Sequence, residues 1–332
     1  MEQAPSEVCY ECARGRIHRA KLAWVSRAWN SPATSTTCWT VTQAPPRLFD
    51  TALVRRKLGR TQPEQAQFLA DAVADEIAHR TDLVTRTFPL TLVHGVGAYG
   101  TARRLAATGR FHTVIPAGAQ SGGEDQLVLD AESIPFGLQS LDCVTSALTL
   151  QSVNDLPGAL VQIRRVLKPD GLFLACLFGG STLSELRAAW FEAESEHRQG
   201  VSARVAPFAD VREMGMLLQR AGFSLPVTDS DRMIVRYDNA MALMREIKAL
   251  GLSNVLTERS RSPVTAALLA KAAAAYERRF SDPDGRVRAT VEIIWLTAWA
   301  PHESQQQPLK PGSAKARLAD ALGTIERPLP RK

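Results

Sequence analysis

The chain has no apolar run approaching the roughly 18–20 residues that a membrane span requires, so a soluble globular protein is the starting expectation. Cysteine is scarce, five in 332 residues, and Cys9, Cys12 and Cys38 all stand near the start. The body keeps only Cys143 and Cys176, too few for a disulfide framework. Cys9 and Cys12 form a lone CxxC with no second pair and only His18 nearby, which does not define a zinc site; no metal is expected. Aromatic residues make up 6% of the chain, and no basic stripe carries them, which argues against nucleic-acid binding. There is no internal repeat and no low-complexity block.

Acidic residues are absent from Cys12 to Phe49, whereas Arg, Ser and Thr abound there. Ile17, Leu22, Ala23, Val25 and Trp29 alternate at helical period with Arg16, Arg19, Lys21 and Arg27. This is the composition of an organelle-targeting presequence, and residues 1–46 are read as a mitochondrial one; a disordered basic tail is the alternative. Glu2, Glu7 and Glu11 are atypical of such a leader. Residues 1–49 carry net +3 of the chain's +6, so the remainder is close to balance.

The body begins near Arg47. Apolar spacing predicts a helix over Gln62–His79 and strands at Leu90–Val93, His112–Ile115, Leu127–Leu129, Leu141–Leu148 and Leu172–Phe178. Helices are predicted at Thr101–Thr108 and at Leu156–Leu167, the latter stopped by Pro169. Alternating strands and helices imply a parallel, doubly wound α/β sheet. Beyond Gly179 helices dominate, at Thr182–Arg198, Ala209–Ala221, Ala240–Leu250 and Pro263–Phe280. Strand-like runs at Arg232–Tyr237 and Thr290–Trp299 interrupt them, and the polar tail from Pro301 reads as loop.

Residues 91–102, TLVHGVGAYGTA, contain Gly95, Gly97 and Gly100 in a literal G-x-G-x-x-G. Glycines there allow a sharp turn and close ligand approach, and a following helix start offers free N–H groups. A dinucleotide site also needs an acid about 20 residues on, and Pro116–Gln120 contains none. A tight strand-to-helix turn without a ligand remains the alternative. His94 is a strand-end histidine that packs structurally or supplies an acid/base group. Asp155 and Glu303 have no placed partner, so no catalytic base is assigned.

Downstream, DAESIPF (130–136), SLDCV (140–144) and LKPDG (167–171) follow in an order that resembles class I S-adenosylmethionine (SAM) methyltransferases over about residues 90–179. The resemblance implies a Rossmann-like fold with an antiparallel C-terminal strand and helical additions. It also implies cofactor-binding roles for Gly95, Gly97, Gly100, Asp130, Ala131, Leu148 and Gln151. In that superfamily the acid corresponding to Asp130 reads the adenine amino group; taken alone, Asp130 reads equally as a loop or cap acid. RLFD (47–50) with Arg55-Arg56-Lys57, FGGSTLSELR (178–187), SARVAPF (202–208) and HESQ (302–305) carry a closer likeness over about residues 47–314. They resemble the family of mitochondrial assembly factor 5 of respiratory complex I (NADH:ubiquinone oxidoreductase).

This resemblance implies a matrix protein on the inner mitochondrial membrane that acts early in complex I assembly by hydroxylating or methylating a protein, with a complex I subunit or assembly intermediate as partner. A helical insertion at about 238–282 and a disordered tail at 315–332 complete the expected organisation. The sequence departs from the pattern at Val93, Tyr99, Pro116 and Gln151-Ser152, where an acid, a glycine, a second acid and a His-Trp pair are usual. These departures imply weak SAM binding at best. Two alternatives follow: a general SAM-dependent methyltransferase on a small molecule, or a non-catalytic assembly chaperone with a degenerate SAM site. Arg103-Arg104 and Arg259-Ser260-Arg261 are short basic runs that face solvent or, alternatively, acidic lipid or a partner.

Overall fold

The computed structural model describes residues 47–61, 67–119, 127–197, 200–306, 313 and 317–325. The leader and its CxxC therefore lie outside the described residues. Seven strands form one sheet: β1 (Phe88–Gly95), β2 (Phe111–Gly118), β3 (Leu127–Val128), β4 (Leu141–Ala147), β5 (Leu167–Phe178), β6 (Ser224–Tyr237) and β7 (Val287–Trp299). Their order is β3-β2-β1-β4-β5-β7-β6. The first five are parallel, and β7 enters antiparallel between β5 and β6. The mostly parallel Rossmann-like sheet with an antiparallel C-terminal strand is the architecture expected above.

Helices α1 (Thr51–Leu58), α2 (Gln67–Asp82), α3 (Ala98–Ala107), α4 (Leu156–Val166), α5 (Ser184–His197), α6 (Val211–Arg220), α7 (Ala240–Ala249), α8 (Ala266–Phe280) and α9 (Leu318–Leu322) accompany the strands. Strand pleating explains how one sheet serves two cores. Cys143, Leu172, Leu174 and Cys176 face α2 and α3, among Val73, Ile77, Leu105 and Trp295. Their neighbours Val144, Phe173, Ala175 and Leu177 face α4 and α6, among Leu160, Ile163, Leu218 and Phe223. Burial on both sides is why β4 and β5 read as nearly continuous apolar runs. A third cluster joins α5, α7 and α8 through Leu186, Trp190, Leu243, Leu268 and Tyr276.

Several boundaries differ from expectation for physical reasons. The helix after the glycine turn starts at Ala98, not Thr101, because Gly97 is its N-cap with φ 67°. Gly100 therefore sits inside α3 rather than in the loop. Strand β6 begins at Ser224, well before Arg232. Among the described residues it is an edge strand paired with β7 alone, and Pro226 together with Asp229-Ser230-Asp231 reads as turn chemistry in the sequence. Residues 51–58 form α1, whose signal is Asp50, which caps the helix by accepting from Leu53 N at 3.0 Å. A short helix, α9, interrupts the tail read as loop.

The motifs that carried the closer likeness hold the scaffold together. Thr182 Oγ1 donates to Glu292 O at 2.9 Å, and Ser181 N donates to the Glu292 carboxylate at 2.8 Å, tying the end of β5 to β7. Glu185 accepts from Thr290 N at 3.1 Å. Gln305 Nε2 donates to Asp170 Oδ1 at 2.9 Å and to Ala300 O at 2.8 Å, while Arg86 pairs with Asp170 and stacks on Trp299 at 5.0 Å. HESQ thus clasps the turn of LKPDG. Glu303 is exposed in that clasp, and Asp155 caps α4 by accepting from Gly158 N at 2.9 Å.

Candidate functional site: a closed crevice beside a large cavity

The carboxyl ends of β1 and β4 meet under α1. Asn154 positions the segment before α1, accepting from Phe49 N at 2.8 Å and donating to Phe49 O at 3.1 Å. Arg259 donates to Asp50 Oδ2 at 3.1 Å from the other side. So held, α1 presents Thr51, Val54, Arg55 and Leu58 to a crevice shared with His94, Asp130, Ala131 and Thr149. Arg55 forms an ion pair with the Asp130 carboxylate, and Glu132 N donates to the other Asp130 oxygen at 3.1 Å. The acid expected to read a ligand is therefore engaged by the chain itself.

The glycine turn is likewise filled from within. Gly95 has φ +116°, and a Cβ there would lie 2.1 Å from Ala147 O and 2.4 Å from Thr149 Oγ1. Gly97 faces Ala70, whose Cβ would be 3.3 Å away. Tyr99 is exposed on α3. Val93 is fully buried in register with Pro116 and Thr145, so both positions that would carry an acid are apolar. Pro116 is tolerated because β3 pairs with β2 only from Ala117 onward. Leu148 is buried with φ 48°, an unusual conformation for a branched residue, at the end of β4. Gln151 Nε2 donates to Leu148 O at 2.7 Å, while its buried Oε1 has no partner.

Burial pushes the His94 imidazole down to about 4, with the Asp130 charge opposing only in part. It is neutral at physiological pH and poorly suited to deliver a proton there. The crevice encloses about 30 Å³, room for about one water, whereas pockets for ligands of cofactor size run to roughly 300–1,000 Å³. With α1 in place, this crevice by itself is smaller than a cofactor of that size requires.

A second space adjoins it. A cavity of about 640 Å³ lies between the end of β5, α5 and α7, with Phe178, Leu186, Trp190, Phe208, Ile247 and Leu252 on its walls. Gln151 and Ser152 reach it at the strand ends. Its loop wall depends on Glu194, 1% exposed, which accepts from Ser202 N at 2.7 Å and Arg204 Nε at 2.8 Å; Arg204 lies over Trp190 at 5.3 Å. Sequence reasoning missed this cavity, because its walls come from segments far apart in the chain. It also left Arg55 without a role, although Arg55-Arg56-Lys57 was visible as a motif. One arginine of each basic run singled out is paired: Arg104 with Asp71 and Asp75, and Arg259 with Asp50.

Strand order, glycine turn and the acid after β3 define a methyltransferase-type α/β domain, and residues 98–175 match the family described as Methyltransferase domain. Over its length the chain is 34% identical to the mitochondrial arginine-hydroxylase NDUFAF5 of Danio rerio, covering 90% of this chain and 94% of that one. It is 36% identical to the Homo sapiens protein of the same name, covering 85% of each. The chain belongs to this mitochondrial arginine-hydroxylase NDUFAF5 family. It is also 33% identical to a malonyl-[acyl-carrier protein] O-methyltransferase of Methylovorus sp., covering 84% of this chain and 95% of that one.

Proposed function

We propose that the protein acts in mitochondria in the assembly of respiratory complex I, on a protein of an assembly intermediate, as a matrix-side component of the inner membrane. The observation that supports this most is the likeness to NDUFAF5 proteins across nearly the whole chain. Among the described residues no helix is long and apolar enough to cross a membrane. The modification proposed is hydroxylation of an arginine, taken from the relatives' name. The buried unpartnered Gln151 Oε1 supplies an acceptor that a guanidinium N–H would satisfy. Gly95, Gly97, Asp130, Ala131, Leu148 and Gln151 form the proposed cofactor crevice, with Gly100 on the helix behind it. In the closed form no step is assigned to SAM.

A second reading, a chaperone without catalysis, is favoured by the closed crevice alone. Deleting the gene and resolving respiratory complexes on native gels tests the assembly role, and complex I at normal levels overturns it. Peptide mass spectrometry of the complex I subunits that remain separates the two readings. Loss of a hydroxyl from one arginine supports catalysis; an unmodified arginine in both strains supports the chaperone.

A further inference from the structure

The cavity has an unusual rim. A cleft of about 520 Å³ is lined by Arg56, Lys57 and Arg60 from the end of α1 and by Arg245 and Lys248 from α7. No carboxylate lines it, and none of these five cations forms an ion pair among the described residues. Their recorded bonds go to carbonyls: Lys57 Nζ donates to Asn254 O at 2.6 Å, and Arg245 Nε to Met241 O at 3.3 Å. Some cations elsewhere are matched, as at Arg110 with Asp82 and Arg236 with Asp282; others, such as Arg187, Arg212 and Arg232, also make no ion pair among the described residues but stand singly rather than gathered in one cleft. Basic residues at helix C-termini suit the helix dipole, which accounts for Lys57 and Lys248 separately. It does not account for two such helix ends facing each other across one cleft, where like charges repel.

The Lys57 ammonium bears the consequence: burial first, then Arg259 and Arg56, pull its pKa down to about 8. Lys57, Lys248 and Ser253 line both this cleft and the apolar cavity, so the two adjoin along these residues. The rim has the wrong sign for an arginine guanidinium, and the reading above leaves it unused.

We propose that cleft and cavity together bind a phosphate-headed, single-chain amphiphile. The phosphate sits among Arg56, Lys57, Arg60, Arg245 and Lys248, and the chain runs along Phe178, Leu186, Trp190, Phe208 and Leu252. A phosphate matches five convergent donors better than a carboxylate does, because it offers more charge and more acceptor oxygens. The cavity volume lies within the range of single-ligand pockets, which selects one chain over two. The assignment rests on this charge and shape alone and does not depend on the assembly role.

The test uses the full chain and three probes below their aggregation limits: palmitoyl lysophosphatidic acid, the matching neutral monoacylglycerol, and inorganic phosphate. Lysophosphatidic acid should bind at least about tenfold more tightly than either other probe, and more weakly as salt rises. The double variant Lys57→Met with Lys248→Met, with folding verified by its thermal melt, should lose about tenfold of that affinity while monoacylglycerol binding stays put. A brominated-chain analogue should quench fluorescence in the parent and less in Trp190→Phe. Equal affinity for monoacylglycerol, equal affinity for phosphate, or quenching unchanged in Trp190→Phe overturns the proposal, as does absence of binding.

Discussion

His94 makes stability depend on pH in a calculable way. Its pKa is 6.5 when exposed and about 4 in the fold, where burial is the main cause. A group whose folded pKa is lowered stabilises the fold above its unfolded pKa and loses that contribution as pH falls toward the folded value. Between those limits the unfolded chain binds a proton that the native chain refuses. At 1.36 kcal/mol per pKa unit the full contribution is about 3 kcal/mol, and about 2 kcal/mol of it is gone when pH is lowered from 7 to 5. The side chain is 5% exposed, so little solvent screening reduces this figure. Urea unfolding of the parent and of His94→Leu at both pH values isolates the effect, because losses from carboxylates are common to both. The parent should lose about 2 kcal/mol more than the variant over this interval. Equal losses would refute a buried neutral imidazole at this position.

Three other outcomes are expected. Glu194→Ala leaves Arg204 without its buried partner and should lower stability by about 3–5 kcal/mol in urea, whereas a loss below about 1 kcal/mol contradicts the geometry. Burial opposes the charge on Glu194, yet bonds from Ser202 and Arg204 keep its pKa below the usual value, so this contribution fades as pH falls below the carboxylate range. Gly95→Ala should cost on the order of 3 kcal/mol from strain and overlap with Ala147 and Thr149, seen as a lower melting temperature without any ligand; a melt identical to the parent's would assign the glycine to ligand access instead. Arg55→Ala removes a largely exposed ion pair worth about 0–1 kcal/mol and frees Asp130, so calorimetric titration should show SAM binding strengthened by up to about fivefold. Weaker binding in that variant would make Arg55 a ligand contact rather than a closure.

Periodicity determined the parallel half of the fold. Strands β1, β4 and β5 are apolar runs largely buried on both faces, β2 is a partly exposed one, and the glycine turn and LKPDG punctuate them in order. The same local logic found α4, α6 and α7, whose apolar stripes face one layer each. Edge strand β6 was only half visible, because Pro226 and Asp229-Ser230-Asp231 in its first half are residue types typical of a turn. Gly95 was singled out by the glycine pattern, whereas Asp130 was singled out only by the family resemblance and alone reads equally as a loop or cap acid.

What the sequence left open, the tertiary structure decided through long-range contacts. A glycine that admits a ligand and a glycine that admits a neighbouring carbonyl look identical in a string of letters. Only the approach of Ala147 and Thr149 shows that Gly95 is filled from within. Arg55 and Asp130 are 75 residues apart, so their pairing, and with it the closure of the crevice, depends on where α1 docks. The unpaired cleft has the same origin: Arg56 and Arg245 are ordinary helix-end cations in sequence. Packing α1 against α7 is what gathers their charge at the mouth of an apolar cavity.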